Sequence, residues 1–204
     1  MTTARVVLAT HNAHKVREFQ AIIGDRLPGV EVVGYDGPEP VEDGVTFAAN
    51  ALIKARVAAE HAGMIALADD SGICVDVLGG APGIFSARWA GRHGDDAANR
   101  RLLLDQVVDI PDEHRGAQFA CNIALVRPGS DAGVAAERTV EGIWPGHLAR
   151  AERGENGFGY DPIFVPEGEQ VTSAELAPQR KNATSHRARA FERMIPALRE
   201  LIGG

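Results

Sequence analysis

Leu67-Ala68-Asp69-Asp70-Ser71-Gly72-Ile73-Cys74-Val75-Asp76-Val77-Leu78 is the stretch around which the rest of the chain is organised. Two apolar runs with strand character, 64–68 and 73–78, flank two carboxylates, a hydroxyl and a glycine, which predicts two strands joined by a turn. Carboxylates at the end of a buried strand are costly unless something pairs with them. A hard cation is one such partner, because Mg2+ takes oxygen ligands, commonly one or two carboxylates together with substrate phosphates. The stretch is therefore a candidate metal and catalytic centre. Asp, Ser and Gly are also ordinary turn residues that bond their own backbone, so taken alone it supports either reading.

The 204 residues suit one domain, or one domain with a sizeable lobe, and are enough to bury a core. With 45% hydrophobic and 24% charged residues, the composition is that of an ordinary globular protein. A net charge of -7 argues against broad binding to nucleic acid or to anionic membrane, while leaving room for a local basic pocket. No apolar run approaches the length of a membrane span, and the N-terminus runs into a strand without a basic-then-apolar leader. Cys74 and Cys121 both lie in apolar runs and are expected as core filler, which points to a reducing compartment. Lys15, Lys54 and Lys181 are the only lysines among 21 basic residues. A lysine kept in a chain that otherwise uses arginine can supply a compact point charge to phosphate, and chance explains the same pattern.

Residues 5–10 predict a short strand and 13–24 a helix, with Val16, Phe19 and Ile23 on one face and Gly24 at its end. The join from Thr10 to Lys15 places hydroxyl, amide and ammonium groups at a helix N-terminus, where free N–H groups and the dipole can hold phosphate. It lacks the glycines of a Walker loop, and Asn12 as a simple cap beside a solvated Lys15 accounts for the same residues. After a strand at 30–34 comes an acidic loop, 35–44, carrying Glu39, Glu42 and Asp43. Such a loop is most often solvated, but a carboxylate from it can meet Asp69-Asp70, and Glu42 is the candidate. Thr46 should cap an alanine-rich helix ending at Gly63.

Gly79-Gly80-Ala81-Pro82-Gly83 predicts a tight loop, and Asp95 precedes a helix over 97–108. Strands are expected over 115–127 and 134–141, followed by a glycine-rich turn at 142–147 with Trp144 buried or at an interface. His93, His114 and His147 lack spaced partners, so surface or structural roles are expected for them and not metal binding. Residues 154–164 are too glycine-rich for a strand or helix. Glycines beside Phe158 let its ring lie flat on something planar, and stacking a base on an aromatic is worth about 1–3 kcal/mol; a mobile surface loop fits 154–157 better than 158–164. Residues 177–182 read as a polar lead-in, and Ser185 as the cap of a last helix whose apolar face is Ala188, Phe191, Ile195, Leu198 and Ile202. Pro196 should kink or interrupt that helix. Ser185-His186-Arg187 in its first turn should expose three polar groups together, and a cationic pair at that end suggests an anion or a ligand edge.

In this order, the motifs closely resemble those of the noncanonical purine nucleoside triphosphate pyrophosphatases, which hydrolyse dITP, ITP and XTP. The likeness covers nearly the whole chain, from Leu8-Ala9-Thr10-His11-Asn12-Ala13-His14-Lys15 through Asp69-Asp70-Ser71-Gly72, Gly80-Ala81-Pro82-Gly83 and Phe158-Gly159-Tyr160-Asp161 to Ser185-His186-Arg187. It implies an elongated two-lobed α/β fold over 1–204, with a central mixed β-sheet flanked by helices and a deep nucleotide cleft between the lobes. A homodimer acting on nucleotides and using Mg2+ is also implied; the charge, the cysteines and the missing leader or span already point to a cytoplasmic protein that binds neither nucleic acid nor membrane.

Residue by residue, the resemblance implies that Thr10, His11, Asn12, Ala13, His14 and Lys15 hold the triphosphate, with Asn12 and Lys15 the main contacts. Asp70 would be proton acceptor and Mg2+ ligand, Glu42 a second acidic contributor to the metal, and Ser71 a substrate contact. Phe158, Gly159, Tyr160, Asp161, Lys181, His186 and Arg187 would surround the nucleotide, with Phe158 stacked on the base. Ala49 stands where the family commonly has an acidic residue before Asn50-Ala51, which puts one metal-side carboxylate in doubt. The implied reaction is attack of water at the α-phosphorus, giving nucleoside monophosphate and pyrophosphate. Discrimination would rest on a donor to the purine 6-oxygen, from His186, Arg187 or a nearby backbone N–H. A pyrophosphatase for other modified nucleotides and a non-hydrolytic nucleotide sensor are the competing readings; the joint presence of Asp69, Asp70, Lys15 and Lys181 counts against the sensor.

Overall fold

The computed structural model describes residues 4–11, 13–24, 26–129 and 133–203, the side chains of 13, 14 and 203 excepted. Six strands, β1 (Ala4–Leu8), β2 (Val30–Gly34), β3 (Ala66–Val75), β4 (Gly116–Pro128), β5 (Val134–Leu148) and β6 (Phe164–Pro166), form one sheet in the order β2-β1-β3-β4-β5-β6. β1 pairs in parallel with β2 and β3, and β5 pairs antiparallel with β6, so the sheet is mixed as expected. Five α-helices accompany it: α1 (Ala13–Gly24), α2 (Phe47–Ala62), α3 (Asp96–Gln106), α4 (Pro178–Thr184) and α5 (His186–Gly203). The chain divides into two compact units, one of Met1–Asp70, Cys121–Gly142 and Arg187–Gly204, the other of Ser71–Ala120 and Ile143–His186.

In the first unit, strand alternation sorts the core onto two faces. Val6 and Leu8 of β1 pack with Phe19, Ile22 and Ile23 of α1 and with Phe191, Met194 and Leu198 of α5. Val7, between them, packs with Ala51, Ala55, Ala58 and Ala59 of α2. Small residues let α2 lie close to the sheet, and its ends are set by local chemistry. The Thr46 side chain accepts from the Ala49 N–H at 3.1 Å, and Gly63 closes the helix with φ +62°.

The second unit has its own core, built on Ile73, Leu103, Phe119, Trp144, Tyr160 and Phe164. Arg115 is almost wholly buried within this unit, donating to the carbonyls of Val107, Leu148 and Ala149. It ties three chain segments together by hydrogen bonds to their backbone carbonyls.

Several expectations change. Asp69-Asp70-Ser71-Gly72 is not a turn, because β3 runs unbroken through it and the carboxylates find partners on helices. Residues 142–147 likewise continue β5. A Cβ at Gly146 would meet the Val165 carbonyl and the Phe164 ring, so this glycine permits close approach of β6. The lead-in before Ser185 contains α4, and Pro196 does not interrupt α5, which continues through it with Met194 and Leu198 buried on either side. That packing outweighs the missing N–H.

Candidate active site

β3 carries the chemistry of the first unit. Asp69 lies on the Leu67 side of the strand, where α1 and α5 pack, and Asp70 on the Ala68 side, where α2 packs. Lys15 Nζ donates to Asp69 Oδ1 at 2.8 Å, and Arg187 Nε to Asp69 Oδ2 at 3.3 Å. Burial opposes ionisation of Asp69, but the charges of Lys15, Arg187 and Lys54 outweigh it and hold the carboxyl well below the usual range. It is held ionised through the usual carboxylate range.

Asp70 has a different setting. Asn50 Nδ2 donates to Asp70 Oδ2 at 3.2 Å, and Lys54 Nζ lies 3.3 Å from Asp70 Oδ1 and 3.0 Å from Glu42 Oε2. Burial raises the Asp70 carboxyl, with Glu42 adding repulsion and Lys54 opposing, and the net shift is upward. A carboxylate so raised is a better proton acceptor. Two carboxylates drawn to one positive charge are a hard-oxygen donor set, and they fit Mg2+. Among the described residues no group of three or more His, Cys, Asp or Glu side chains is arranged to hold a metal. An ion held by Glu42 and Asp70 would thus complete its shell with water or phosphate oxygens. Ala49 adds no carboxylate here.

Of the segment from Thr10 to Lys15, Asn12 lies outside the described residues, as do the side chains of Ala13 and His14. His11 turns toward the acidic loop: Nδ1 lies 2.8 Å from Glu39 Oε1, Nε2 lies 3.1 Å from the Gly37 carbonyl, and the ring stacks on Tyr35. Both ring nitrogens face acceptors, the arrangement of an imidazolium, and the hydrogen bond to Glu39 is the largest cause of its raised pKa. A cavity of about 380 Å³ is lined by Thr10, His11, Val16, Arg17, Gly34 and Tyr35, at the carboxyl ends of β1 and β2.

The second unit holds the other set. Phe158 is 49% exposed, its N–H donates to Asp161 Oδ2 at 2.9 Å, and Lys181 Nζ stands 5.6 Å from its ring centroid. Lys181 also bonds Asp161 Oδ2 at 2.5 Å, while Ser173 Oγ donates to Asp161 Oδ1 at 2.7 Å. The Tyr160 hydroxyl donates to the Ser86 carbonyl at 2.7 Å, and burial pushes its pKa up. His186 is buried, stacked on Phe119 at 4.8 Å and on Trp144 at 6.4 Å. Ser71, at the start of this unit, is half-buried. A larger hollow of about 570 Å³, lined by Asp112, His147 and Arg150 among others, contains none of these motif residues.

Ser185, His186 and Arg187 were expected to be exposed together; all three are buried. The aromatic cluster takes His186 and the Asp69 carboxylate takes Arg187, and the boundary between the units falls between them. Sequence reasoning also missed Asn50 and Lys54 as partners of Asp70, and Asp96 and Arg100 as partners of Gly159. Each pair is spaced i, i+4 on its helix, which puts both members on one face.

The Ham1 family model matches residues 6–197. The chain is 66% identical over 197 residues to a dITP/XTP pyrophosphatase of Leifsonia xyli subsp. xyli, covering 97% of this chain and 96% of that protein. It is 56% identical over 203 residues to a dITP/XTP pyrophosphatase of Streptomyces coelicolor, covering 98% and 99%. A solved nucleoside-triphosphatase / dITP/XTP pyrophosphatase from Mycobacterium abscessus is similar with TM-score 0.75 and 49% identity, covering 94% of this chain and 99% of that one. A HAM1 protein from Coxiella burnetii is similar with TM-score 0.85 and 42% identity, covering 97% and 99%.

Proposed function

The chain belongs to the Ham1 family, and we propose that it hydrolyses the noncanonical purine nucleoside triphosphates dITP, ITP and XTP to nucleoside monophosphate and pyrophosphate. The observation that carries this reading is the convergence of Glu42 and Asp70 on Lys54, beside the Asn50 amide. A pure nucleotide binder has no use for a half-buried carboxylate raised toward basicity next to a second carboxylate.

Asp70, oriented by Asn50 and Lys54, accepts a proton from the water that attacks the α-phosphorus. The bond from that phosphorus to the bridging oxygen breaks, and pyrophosphate leaves. Lys15, fixed by Asp69, and Lys54 offer ammonium charge to phosphate oxygens, where negative charge gathers in the transition state. Thr10 to Lys15 form the triphosphate segment, and Ser71 is a further contact. Glu42 and Asp70 would hold Mg2+, which when bound would neutralise phosphate charge. Phe158 stacks on the base, with Gly159, Tyr160, Asp161 and Lys181 around it. The purine 6-oxygen takes its donor from His186, which Phe119 and Trp144 hold, from Arg187, which Asp69 holds, or from a nearby backbone N–H. An amino group at that position would leave the donor unpaired.

We read residues 1–204 as a single pyrophosphatase domain, because the chain crosses between its two units four times. A homodimer is the assembly that the resemblance to the family implies. Cys74 and Cys121 are thiols, not a disulfide, which suits the cytoplasm; among the described residues no helix is long and apolar enough to cross a membrane.

Product chromatography with Mg2+ on dITP, XTP, dGTP, ATP and dUTP in parallel tests the function. Monophosphate and pyrophosphate from dITP and XTP, with little from the others, is the expected result. Diphosphate with phosphate overturns the mechanism, turnover centred on dUTP favours a different base, and binding without product makes the protein a sensor.

A further inference from the structure

An aromatic ring that is half exposed on a glycine-flanked loop makes a poor stacking surface if its backbone can swing. Within the second unit that backbone is held from outside the loop. Asp96 and Arg100 lie one turn apart on α3 and take both polar backbone groups of residue 159. Asp96 Oδ2 accepts from the Gly159 N–H at 2.8 Å, and Arg100 Nη1 donates to the Gly159 carbonyl at 2.8 Å. Arg100 is itself fixed, with its side chain 16% exposed and its Nε 3.0 Å from Glu152. Gly159 has φ +61°, a left-handed corner that turns the chain between Phe158 and Tyr160. On either side of this corner the Phe158 N–H is taken by Asp161 and the Tyr160 hydroxyl by the Ser86 carbonyl.

We propose that Asp96 and Arg100 are positioning residues for the nucleobase: by clamping the Gly159 backbone they hold Phe158 as a fixed stacking platform. This inference rests on Phe158 being the residue that stacks on the base. Each clamp bond joins a charged side chain to a backbone group, and such bonds are shorter and stronger than neutral ones. Ordering the loop before the ligand arrives removes an entropic penalty from binding. Neither side chain is needed to touch the substrate. Their effect therefore belongs in KM for a nucleotide, not in the bond-breaking step, and vanishes for a ligand without a base.

The test is steady-state kinetics on dITP with Asp96→Ala, Asp96→Asn, Arg100→Met, Phe158→Ala and the Asp96→Ala/Phe158→Ala double variant, each checked by thermal melting. Asp96→Ala and Arg100→Met should raise KM about 3- to 10-fold with kcat within about twofold. Inhibition by inorganic tripolyphosphate should stay unchanged. Asp96→Asn keeps an acceptor oxygen for Gly159 and should recover most of the loss. In the Phe158→Ala background, adding Asp96→Ala should have no further effect, the non-additivity expected of residues that act through one another. A kcat that falls with the rise in KM, weakened tripolyphosphate inhibition, or a penalty that persists without Phe158 would overturn the inference in favour of a purely structural role. If Asp96→Ala does not fold, Arg100→Met carries the same comparisons. Unchanged KM in Phe158→Ala rejects the stacking reading itself; a raised KM there, with none in Asp96→Ala and Arg100→Met, rejects only the clamp.

Discussion

Asp69 and Asp70 are neighbours on β3, yet they meet different helices through opposite faces of the strand: Asp69 binds Lys15 and Arg187, and Asp70 binds Asn50 and Lys54. The first carboxyl is driven below its ordinary range and the second above it. Two adjacent residues of one type thus meet two electrostatic settings, one carboxyl held ionised and the other raised, because strand geometry assigns them to different surroundings.

Asn substitutions should separate the two carboxyls. Asp70→Asn should lower kcat by about 10²- to 10⁴-fold with little change in the urea midpoint. Asp69→Asn leaves two cations in a buried setting without their carboxylate, and should destabilise the fold by about 3–5 kcal/mol. Urea unfolding of both variants beside the parent checks this. A parent-like midpoint in Asp69→Asn would show that Lys15 and Arg187 do not depend on Asp69.

Asp69 also sets a pH dependence. The Asp69 carboxyl is depressed in the folded state, so its contribution is fully present above about 4, the unfolded value. It is lost progressively as pH falls from there toward the lower folded value. Unfolding free energy should therefore fall more steeply below about pH 4 in the parent than in Asp69→Asn. Denaturation at a series of pH values reads the difference in slope, and equal slopes would remove Asp69 as its source.

His11 shifts the other way. Its pKa is raised above 6.5, chiefly by the hydrogen bond to Glu39. Its tether to residues 37 and 39 is complete below 6.5 and is lost as pH rises through the raised folded value. Proton NMR of the His11 ring should give a midpoint above 6.5, and Glu39→Gln should move that midpoint down. A midpoint unaffected by the substitution would show that Glu39 is not its partner in solution.

What could be read from the chain was what local chemistry decides. Thr46 and Gly63 fix the ends of α2 within a few residues of themselves, and both were visible as cap residues. The path through Asp69-Asp70 was not, because the groups that let the Asp69 carboxylate sit inside a strand come from 54 and 118 positions away along the chain, and those that hold Asp70 from 20 and 16. Gly146 was misread for a related reason. A glycine needed for a turn and one needed for close approach look alike until the neighbouring strand is in place, and here the neighbour is Val165. For the candidate site, motif residues were identified one at a time; their allotment was not. His186 and Arg187 are consecutive, yet aromatic rings take one and a carboxylate the other. Asn50 and Lys54 carried a usable signal in their i, i+4 spacing, but only the position of β3 shows what that helix face meets.

Gly44 offers the sharpest test of the metal assignment, because it controls Glu42 without belonging to any donor set. A Cβ built there would lie 2.6 Å from Asn50 Oδ1, 2.8 Å from the Ala49 Cβ and 3.0 Å from the Asn50 backbone nitrogen. These atoms belong to the first turn of α2, which Thr46 caps and the alanine face holds against the sheet. Asn50 is also tied to Asp70, and its Oδ1 is buried without a hydrogen-bond partner among the described residues. The helix cannot yield easily, so in Gly44→Ala the loop must move, and Glu42, two residues upstream, moves with it. Asp70 and Lys54 stay in place. The Mg2+ concentration for half-maximal dITP turnover should rise about 10- to 100-fold, the range seen when groups supporting a metal site are disturbed. Turnover at saturating Mg2+ should be largely recovered. Crystallography of the variant reports the displacement and a Mg2+ titration of activity reports its consequence. A displaced Glu42 with an unchanged Mg2+ requirement would take Glu42 out of the metal site and leave the metal role to Asp70.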